Sequence, residues 1–245
     1  METDQKPVIS VRKLRKVYMM GQEHVVALHN INLDIARGEV CCIFGTSGSG
    51  KSTLLNQLAG LEKPTRGVVR IGGVPISRLN ENQLAAFRQK HIGFVFQSYN
   101  LLPELTAAEN VAMPLMFRGV DPETRIIEAK KMLCRVGLKD RMDHFPNQMS
   151  GGQQQRVGIA RAFVTHPEVV FADEPTGNLD SKTTKEVMHM IRGFAHRFHQ
   201  TIVLVSHDPE MTEYADRIVT LIDGRIVSNV ENQVKAEIDA APYIE

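Results

Sequence analysis

The sequence predicts an α/β fold with a mostly parallel sheet, an N-terminal antiparallel β-subdomain and an inserted helical subdomain. Three observations lead to this prediction. Short apolar runs at 39–44, 169–172 and 201–205 are typical of strands that are covered on both faces. Helix-like spacing follows these runs, and strands that alternate with helices favour a parallel sheet. Between about 98 and 149 the pattern becomes mostly helical and contains several prolines, as expected of an insertion.

The N-terminal subdomain is predicted from two strands, at 8–17 and 25–35, around a turn at 20–22. The later elements follow in order: a helix at 52–61, a strand at 66–71, a helix at 82–91, a strand at 92–96, a helix that ends near 165, and a hairpin of 217–222 and 225–227 around Asp223 and Gly224. We therefore expect a folded domain over 8–229 and a C-terminal tail over 230–245.

The inserted helical subdomain is expected to cover about 98–160. Ala129, Met132, Leu133 and Val136 fall on one face of a helix in this region. Such a stripe is typical of a helix that buries one side against neighbouring helices.

Composition narrows the class of protein. The chain has 245 residues, a formal net charge of +1 and 42% hydrophobic residues, which is ordinary for a globular domain. A near-neutral total argues against a broad basic face, so no nucleic-acid partner is expected. No window reaches the roughly 18 apolar residues that a membrane span requires, and 1–7 shows no secretory pattern. Cys41, Cys42 and Cys134 form no CxxC pair and are expected to be small buried residues.

A glycine-rich segment directly follows the first buried strand. Its residues are Gly45, Thr46, Ser47, Gly48, Ser49, Gly50, Lys51, Ser52 and Thr53, which match G-x-x-x-x-G-K-[ST]. Glycines let successive N–H groups face a phosphate, and the helix that follows adds the positive end of its dipole. Lys51 supplies a charge for the β- and γ-phosphates, and the Ser52 hydroxyl suits Mg²⁺. The segment therefore predicts a P-loop NTPase core.

Polar side chains also follow other predicted strands. Asp173 and Glu174 come directly after the run at 169–172. Asp173 can join the Mg²⁺ shell, and Glu174 can act as a general base on an attacking water. His207 follows the run at 201–205 and can reach a γ-phosphate. Gln97 follows the strand at 92–96, although by itself this position carries little information.

A second anion-binding pattern lies at Met149, Ser150, Gly151, Gly152 and Gln153. Its glycines free backbone N–H groups, and Ser150 places a hydroxyl at the start of a helix. One nucleotide hardly needs two such cradles from one chain. The pattern therefore indicates that a second copy supplies it from the opposite side of the nucleotide.

Together these motifs make the chain resemble an ATP-binding-cassette (ABC) ATPase over about 8–227. The segment 45–53 resembles the Walker A motif, 169–174 the Walker B motif and 149–153 the signature, with Met149 where leucine is usual. Gln97 matches the Q-loop, Asn178-Leu179-Asp180 the D-loop, His207 the switch histidine and Tyr18 the aromatic residue that stacks on adenine.

The resemblance implies an ATPase that binds ATP and Mg²⁺. Ser52, Gln97 and Asp173 would surround the metal, and Glu174, Gln97 and His207 would be the catalytic groups. Ser150, Gly151, Gly152, Gln153 and Asp180 would act across a dimer with a second copy or a close homologue. An integral membrane permease would dock near Gln97 to Gly119, which places the chain peripherally on the cytoplasmic face of the inner membrane.

The segments at 96–103 and 175–180 further resemble the MacB/LolD group. That group includes macrolide-type exporters, lipoprotein-releasing complexes and the cell-division ATPase, and the peptide-resistance ATPases resemble it. A cell-division role without transport is thus an alternative. DNA-repair ABC ATPases usually carry coiled-coil arms or zinc modules, but the stretch of about fifty residues between Gln97 and Met149 has neither. Translation-type factors join two cassettes, and this chain contains one.

Overall fold

The computed structural model describes residues 6–233, which form two compact units. The first unit comprises 6–88 and 201–233, and the second comprises 89–200. In chain order the elements are β1 (Ile9–Met20), β2 (Glu23–Ile35), β3 (Val40–Phe44), α1 (Lys51–Leu58), β4 (Arg66–Ile71), α2 (Glu81–His91), β5 (Ile92–Phe96), α3 (Ala107–Phe117), α4 (Pro122–Arg135), α5 (Gly151–Phe163), β6 (Val169–Asp173), α6 (Ser181–Phe198), β7 (Thr201–Ser206), β8 (Arg217–Ile222) and β9 (Arg225–Glu231). Across 6–233 no helix combines the length and hydropathy that a membrane crossing requires.

An antiparallel sheet of order β2-β1-β4 forms the N-terminal part of the first unit. β1 and β2 are paired from Ile9 opposite Ile35 to Met20 opposite Glu23, so the hairpin turns at 21–22. Its inward side chains, among them Ile9 and Leu14, are fully buried. The predicted N-terminal antiparallel β-subdomain is confirmed.

The first unit also contains strands of a mostly parallel sheet, in the order β7-β3-β8-β9. β3 runs parallel to β7 and β8, and β9 pairs antiparallel with β8. Residues 40–43 are at most 2% exposed, because neighbouring elements cover β3 on both faces. The 223–224 turn has two left-handed residues, Asp223 at φ 45° and Gly224 at φ 69°, which suits a tight hairpin.

In the second unit β5 and β6 are parallel, and α3, α4 and α5 pack on one another. Ala129, Met132, Leu133 and Val136 are all at most 1% exposed, so the predicted helical stripe is confirmed. The bounds of the inserted helical subdomain stay a prediction, because the compact unit of 89–200 also contains β5, β6 and α6.

Several predicted ends differ from the structure. α1 ends at Leu58 rather than near 61, because Gly60 adopts φ 63° and a left-handed glycine ends a helix. β9 continues to Glu231, four residues beyond the predicted strand end at Val227. The part of the predicted tail at 234–245 lies outside the described residues.

The prediction that all three cysteines are buried is wrong for one of them. Cys41 and Cys42 are fully buried in β3, and burial raises the pKa of the Cys42 thiol to about 12. Cys134 is exposed, because it follows Leu133 on α4 and so points away from the buried stripe.

Candidate functional site

The glycine-rich loop links β3 to α1 in a conformation that needs glycine at specific positions. Gly48 has φ 81°, and Gly50 has φ 100° as the residue before α1. A Cβ on Gly45 would lie 2.3 Å from the Leu221 carbonyl oxygen, and one on Gly50 would lie 2.8 Å from the Ala27 carbonyl oxygen. Close backbone packing therefore shapes this loop, as expected of a phosphate cradle.

The polar groups of the loop fit an anion. Lys51 is only 6% exposed, and its Nζ donates to the Thr46 carbonyl oxygen at 2.9 Å, which holds the ammonium over the loop. The first N–H groups of α1 have no acceptor within the helix, and they add to the positive end of its dipole. Ser49 Oγ is buried without a hydrogen-bond partner in the described structure. This set of donors suits the phosphates of a nucleotide.

Tyr18 lies at the end of β1 with its ring held from two sides. Its hydroxyl donates to Glu62 Oε2 at 2.7 Å, and Lys16 Nζ lies 4.9 Å from the ring centroid and 3.0 Å from the same carboxylate. Burial, followed by the Glu62 contact, raises the pKa of Tyr18. The sequence did not single out Glu62 or Lys16, because nothing in their spacing marks them as neighbours of Tyr18.

His207 follows β7 and is exposed. Phe44 at the end of β3 lies opposite Ser206 at the end of β7. The glycine-rich loop and His207 therefore leave the same edge of the sheet from adjacent strands, as ligand-binding groups in parallel sheets do.

In the second unit the strand ends bring Gln97 and the two carboxylates together. Phe96 lies opposite Asp173 in the β5–β6 pair, so Gln97 and Glu174 follow side by side. Asn178 Nδ2 donates to the Gln97 carbonyl oxygen at 3.1 Å, and Gly177 lies against the Gln97 amide.

Glu174 has an unusual backbone conformation. Its φ is 43°, and its carbonyl accepts the Gly177 N–H at 3.1 Å. A left-handed glutamate is strained, and such strain tends to be kept at functional sites.

Ser150 caps α5 as the sequence predicts. Its Oγ accepts the Gln153 N–H at 3.3 Å, and its own N–H donates to Gln153 Oε1 at 3.0 Å, which completes a capping box. A Cβ on Gly152 would lie 2.7 Å from Thr183 Cγ2, so that glycine allows α5 to approach α6 closely. Met149 is 7% exposed and packs in the interior, as expected of an apolar replacement.

Asp180 caps α6. Its carboxylate accepts the N–H groups of Lys182 and Thr183 and the Thr183 hydroxyl, at 3.1, 3.0 and 2.7 Å. These bonds, led by the Thr183 N–H, lower the pKa of Asp180. The motif match predicts a role across a dimer for Asp180 and does not indicate its local capping role, although an Asp before a helix is a typical N-cap.

The predicted residues thus form two groups, one in each unit. The first unit holds Tyr18, Gly45 to Thr53 and His207, and the second holds Gln97, Ser150 to Gln153, Asp173, Glu174 and Asp180. No three His, Cys, Asp or Glu side chains gather as a metal cluster within 6–233.

Comparisons with known proteins agree with one another. Residues 28–177 match the family described as "ABC transporter". The chain is 49% identical over 220 residues to the uncharacterized ABC transporter ATP-binding protein MJ1508 of Methanocaldococcus jannaschii, over 90% of this chain and 98% of that protein. It is 45% identical over 237 residues to the macrolide export ATP-binding/permease protein MacB of Salmonella typhimurium, over 96% of this chain and 36% of MacB. The chain therefore spans about a third of the length of the MacB relatives.

Two solved structures of similar fold are also ABC cassettes. The dimeric post-hydrolysis structure of the ATP-binding cassette MJ0796 bound to ADP and Pi has a TM-score of 0.85 at 41% identity, over 91% of this chain and 98% of that one. A second dimeric structure of MJ0796, described as a bacterial ABC transporter cassette, has a TM-score of 0.85 at 42% identity. The P-loop α/β fold class is thereby confirmed.

Proposed function

This chain belongs to the ABC transporter family as an ATP-hydrolysing cassette of the MacB/LolD type, and from that premise we propose that it closes on ATP as a dimer and drives a separate membrane subunit. One observation carries the proposal. The chain has a loop at 45–53 whose conformation requires glycine in one unit, and a capped, glycine-rich helix start at Ser150 in the other. The dimeric state and the ADP and Pi of MJ0796 support the same arrangement.

In this proposal each nucleotide lies between two copies. The N–H groups of 45–53 and Lys51 bind the phosphates, and Tyr18 stacks on the adenine with its ring held by Glu62. The helix start at 150–153 of the second copy binds the γ-phosphate from the opposite side. Asp180 of each copy lies at the dimer contact.

Residues from both groups are assigned to hydrolysis. Ser52, Gln97 and Asp173 would hold Mg²⁺, which neutralises charge on the phosphates when bound. Glu174 orients the attacking water and accepts its proton. His207 donates a hydrogen bond to the γ-phosphate as its charge develops.

A membrane permease is the proposed partner, docked near Gln97 to Gly119 and holding the chain on the cytoplasmic face of the inner membrane. Leu102, Met116 and Phe117 support this surface, being exposed apolar side chains at 43, 42 and 55%. The MacB relatives are macrolide export ATP-binding/permease proteins, which favours an export, lipoprotein-release, peptide-resistance or mechanotransmission system for this chain.

Enzyme concentration tests the shared nucleotide site. If both copies build each site, ATPase activity per chain rises with chain concentration, and its ATP dependence is cooperative. A rate per chain that stays constant across a wide concentration range would show that one copy is sufficient.

A matched pair of variants tests the membrane partner. Phe117→Asp should reduce the fraction of the chain that sediments with membranes of its source cells, whereas Val230→Asp should not. Val230 is a suitable control because it is similarly exposed, at 52%, and lies on β9. Equal sedimentation of the two variants would contradict docking near 97–119.

A further inference from the structure

The segment after Gln97 has a left-handed backbone, which is uncommon for an aromatic residue such as Tyr99. Tyr99 has φ 60° and Asn100 has φ 48°, so two consecutive residues other than glycine are left-handed. The Asn100 N–H donates to the Ser98 carbonyl oxygen at 2.6 Å, which makes the turn tight. Such residues keep this backbone only where surrounding groups hold it in place.

Arg161 provides that hold. Its Nη1 donates to the Asn100 carbonyl oxygen at 2.5 Å, and its Nη2 donates to the Tyr99 carbonyl oxygen at 2.7 Å. The two bonds reach the carbonyl oxygens of the two left-handed residues, and the planar guanidinium suits such a forked contact. The Arg161 guanidinium also lies 6.0 Å from the Phe96 ring centroid. Burial lowers the pKa of Arg161, although arginine stays charged at neutral pH.

The helix that carries Arg161 begins at the Ser150 cap. At its first turn the Tyr99 hydroxyl lies 2.8 Å from the position of a Cβ on Gly151. Helix α5 therefore contacts Tyr99 twice, through Gly151 at one end and Arg161 near the other. A displacement of α5 would be transmitted to the segment after Gln97.

The middle of α5 reaches the turn after Glu174. Gln155 is fully buried, and its Nε2 donates to the Pro175 carbonyl oxygen. Pro175 directly follows Glu174, so the same helix also contacts the segment that carries the proposed general base.

We propose that Arg161 is a positioning residue through which helix α5 holds Gln97 in its working place. This inference rests on the proposed function, which assigns Gln97 to the metal. When the nucleotide held by a second copy binds Ser150 to Gln153, it fixes the position of α5. Through its bonds to Tyr99 and Asn100, Arg161 then restricts the segment that follows Gln97 and so holds Gln97 in place. Arg161 itself contacts neither nucleotide nor metal.

A double-mutant cycle on the full chain tests this proposal, with ATPase kcat, ATP KM and the Mg²⁺ concentration for half-maximal rate as readouts. Arg161→Ala should lower kcat about tenfold, raise the Mg²⁺ requirement and leave the ATP KM within about twofold. Arg161→Lys should give an intermediate kcat, because an ammonium cannot serve both carbonyls in one fixed fork. In a Gln97→Ala background, Arg161→Ala should lower kcat by less than about twofold, since the group that it positions is gone.

Arg88→Ala is the matched control. Arg88 also donates to a backbone carbonyl, that of Gly60 at 2.6 Å, and both of these residues belong to the first unit, whereas Gln97 belongs to the second. This variant should keep its wild-type kcat and Mg²⁺ requirement.

The outcomes separate the inference from the proposed function. If Gln97→Ala leaves kcat unchanged, the proposed role of Gln97 fails. Suppose instead that Gln97→Ala lowers kcat. If Arg161→Ala then lowers kcat by the same factor in the presence and absence of Gln97, Arg161 acts independently and the positioning role is overturned. If circular dichroism shows that Arg161→Ala does not fold, Arg161→Lys replaces it in the double-mutant cycle. Its effect on kcat with and without Gln97 is then interpreted in the same way.

Discussion

At the scale of single residues, the proposed chemistry depends on side chains whose backbones the fold constrains. Glu174 is left-handed, and Gln97 beside it is held through its carbonyl by Asn178. Tyr18 is oriented by Glu62 and Lys16. Because these residues are restricted before a ligand binds, less conformational entropy is lost on binding and reaction.

Replacement of the proposed general base gives a sharp prediction. Glu174→Gln should lower kcat about a hundredfold or more while ATP binding persists, because an amide keeps the shape but cannot accept the proton. Phosphate release and calorimetric ATP affinity measure the two effects separately. Glu213→Gln, an exposed carboxylate in the first unit, serves as the control. Undiminished turnover in the Glu174 variant would remove this residue as the base.

Two variants of Tyr18 separate stacking from its hydrogen bond. Tyr18→Ala should raise the ATP KM about three- to tenfold, because it removes the aromatic face. Tyr18→Phe should raise it much less, since only the hydroxyl bond to Glu62 is lost. Equal KM values for the alanine variant and the wild type would mean that another group contacts the base.

The residue contacts found in the structure are those that the sequence could least predict. The Tyr18–Glu62, Tyr99–Arg161 and Gln97–Asn178 bonds join residues that are 44, 62 and 81 positions apart. Motif spacing identifies Tyr18, Gln97 and the phosphate loop through their resemblance to a family. Motif spacing does not identify side chains such as Glu62 or Arg161. These residues contact the predicted site residues or their neighbours only because the fold brings them together.

At the scale of elements, the sequence predicts interiors better than ends. β3, β6 and β7 are found within two residues of their predicted bounds, because strands that are buried on both faces exclude polar side chains. The ends of α1 and β9 depend on local events: a left-handed Gly60, and the bond of the Asn232 N–H to the Asp216 carbonyl oxygen just after β9. Neither event is visible in hydrophobic periodicity.

The start of α1 supports a prediction about glycine. Gly50→Ala combines a left-handed backbone with a Cβ 2.8 Å from the Ala27 carbonyl oxygen, whereas Gly73→Ala, at φ 82°, would meet no atom within 4 Å. The Gly50 variant should therefore lose about 1–3 kcal/mol more free energy of unfolding than the Gly73 variant, and should also lose ATP affinity. Chemical denaturation measures the difference. Equal losses would show that the loop relaxes around the added methyl group.

At the scale of the whole molecule, each of the two compact units carries one of the two anion-binding features. The phosphate loop lies in the first unit and the Ser150 helix start in the second. The family and the dimeric relatives give the reason to pair them across two copies. A formal net charge of +1 does not oppose association of the two copies.

The mass of the Glu174→Gln variant in solution, with and without Mg-ATP, shows whether ATP closes two copies into a dimer. Light scattering should give the monomer mass of 27.4 kDa without nucleotide and about twice that mass with Mg-ATP, since bound ATP is no longer hydrolysed. Adding Ser150→Arg to the same chain should abolish the shift, because the helix start could no longer approach the γ-phosphate. A mass that stays at the monomer value at saturating ATP would contradict an ATP-closed dimer built by this chain alone.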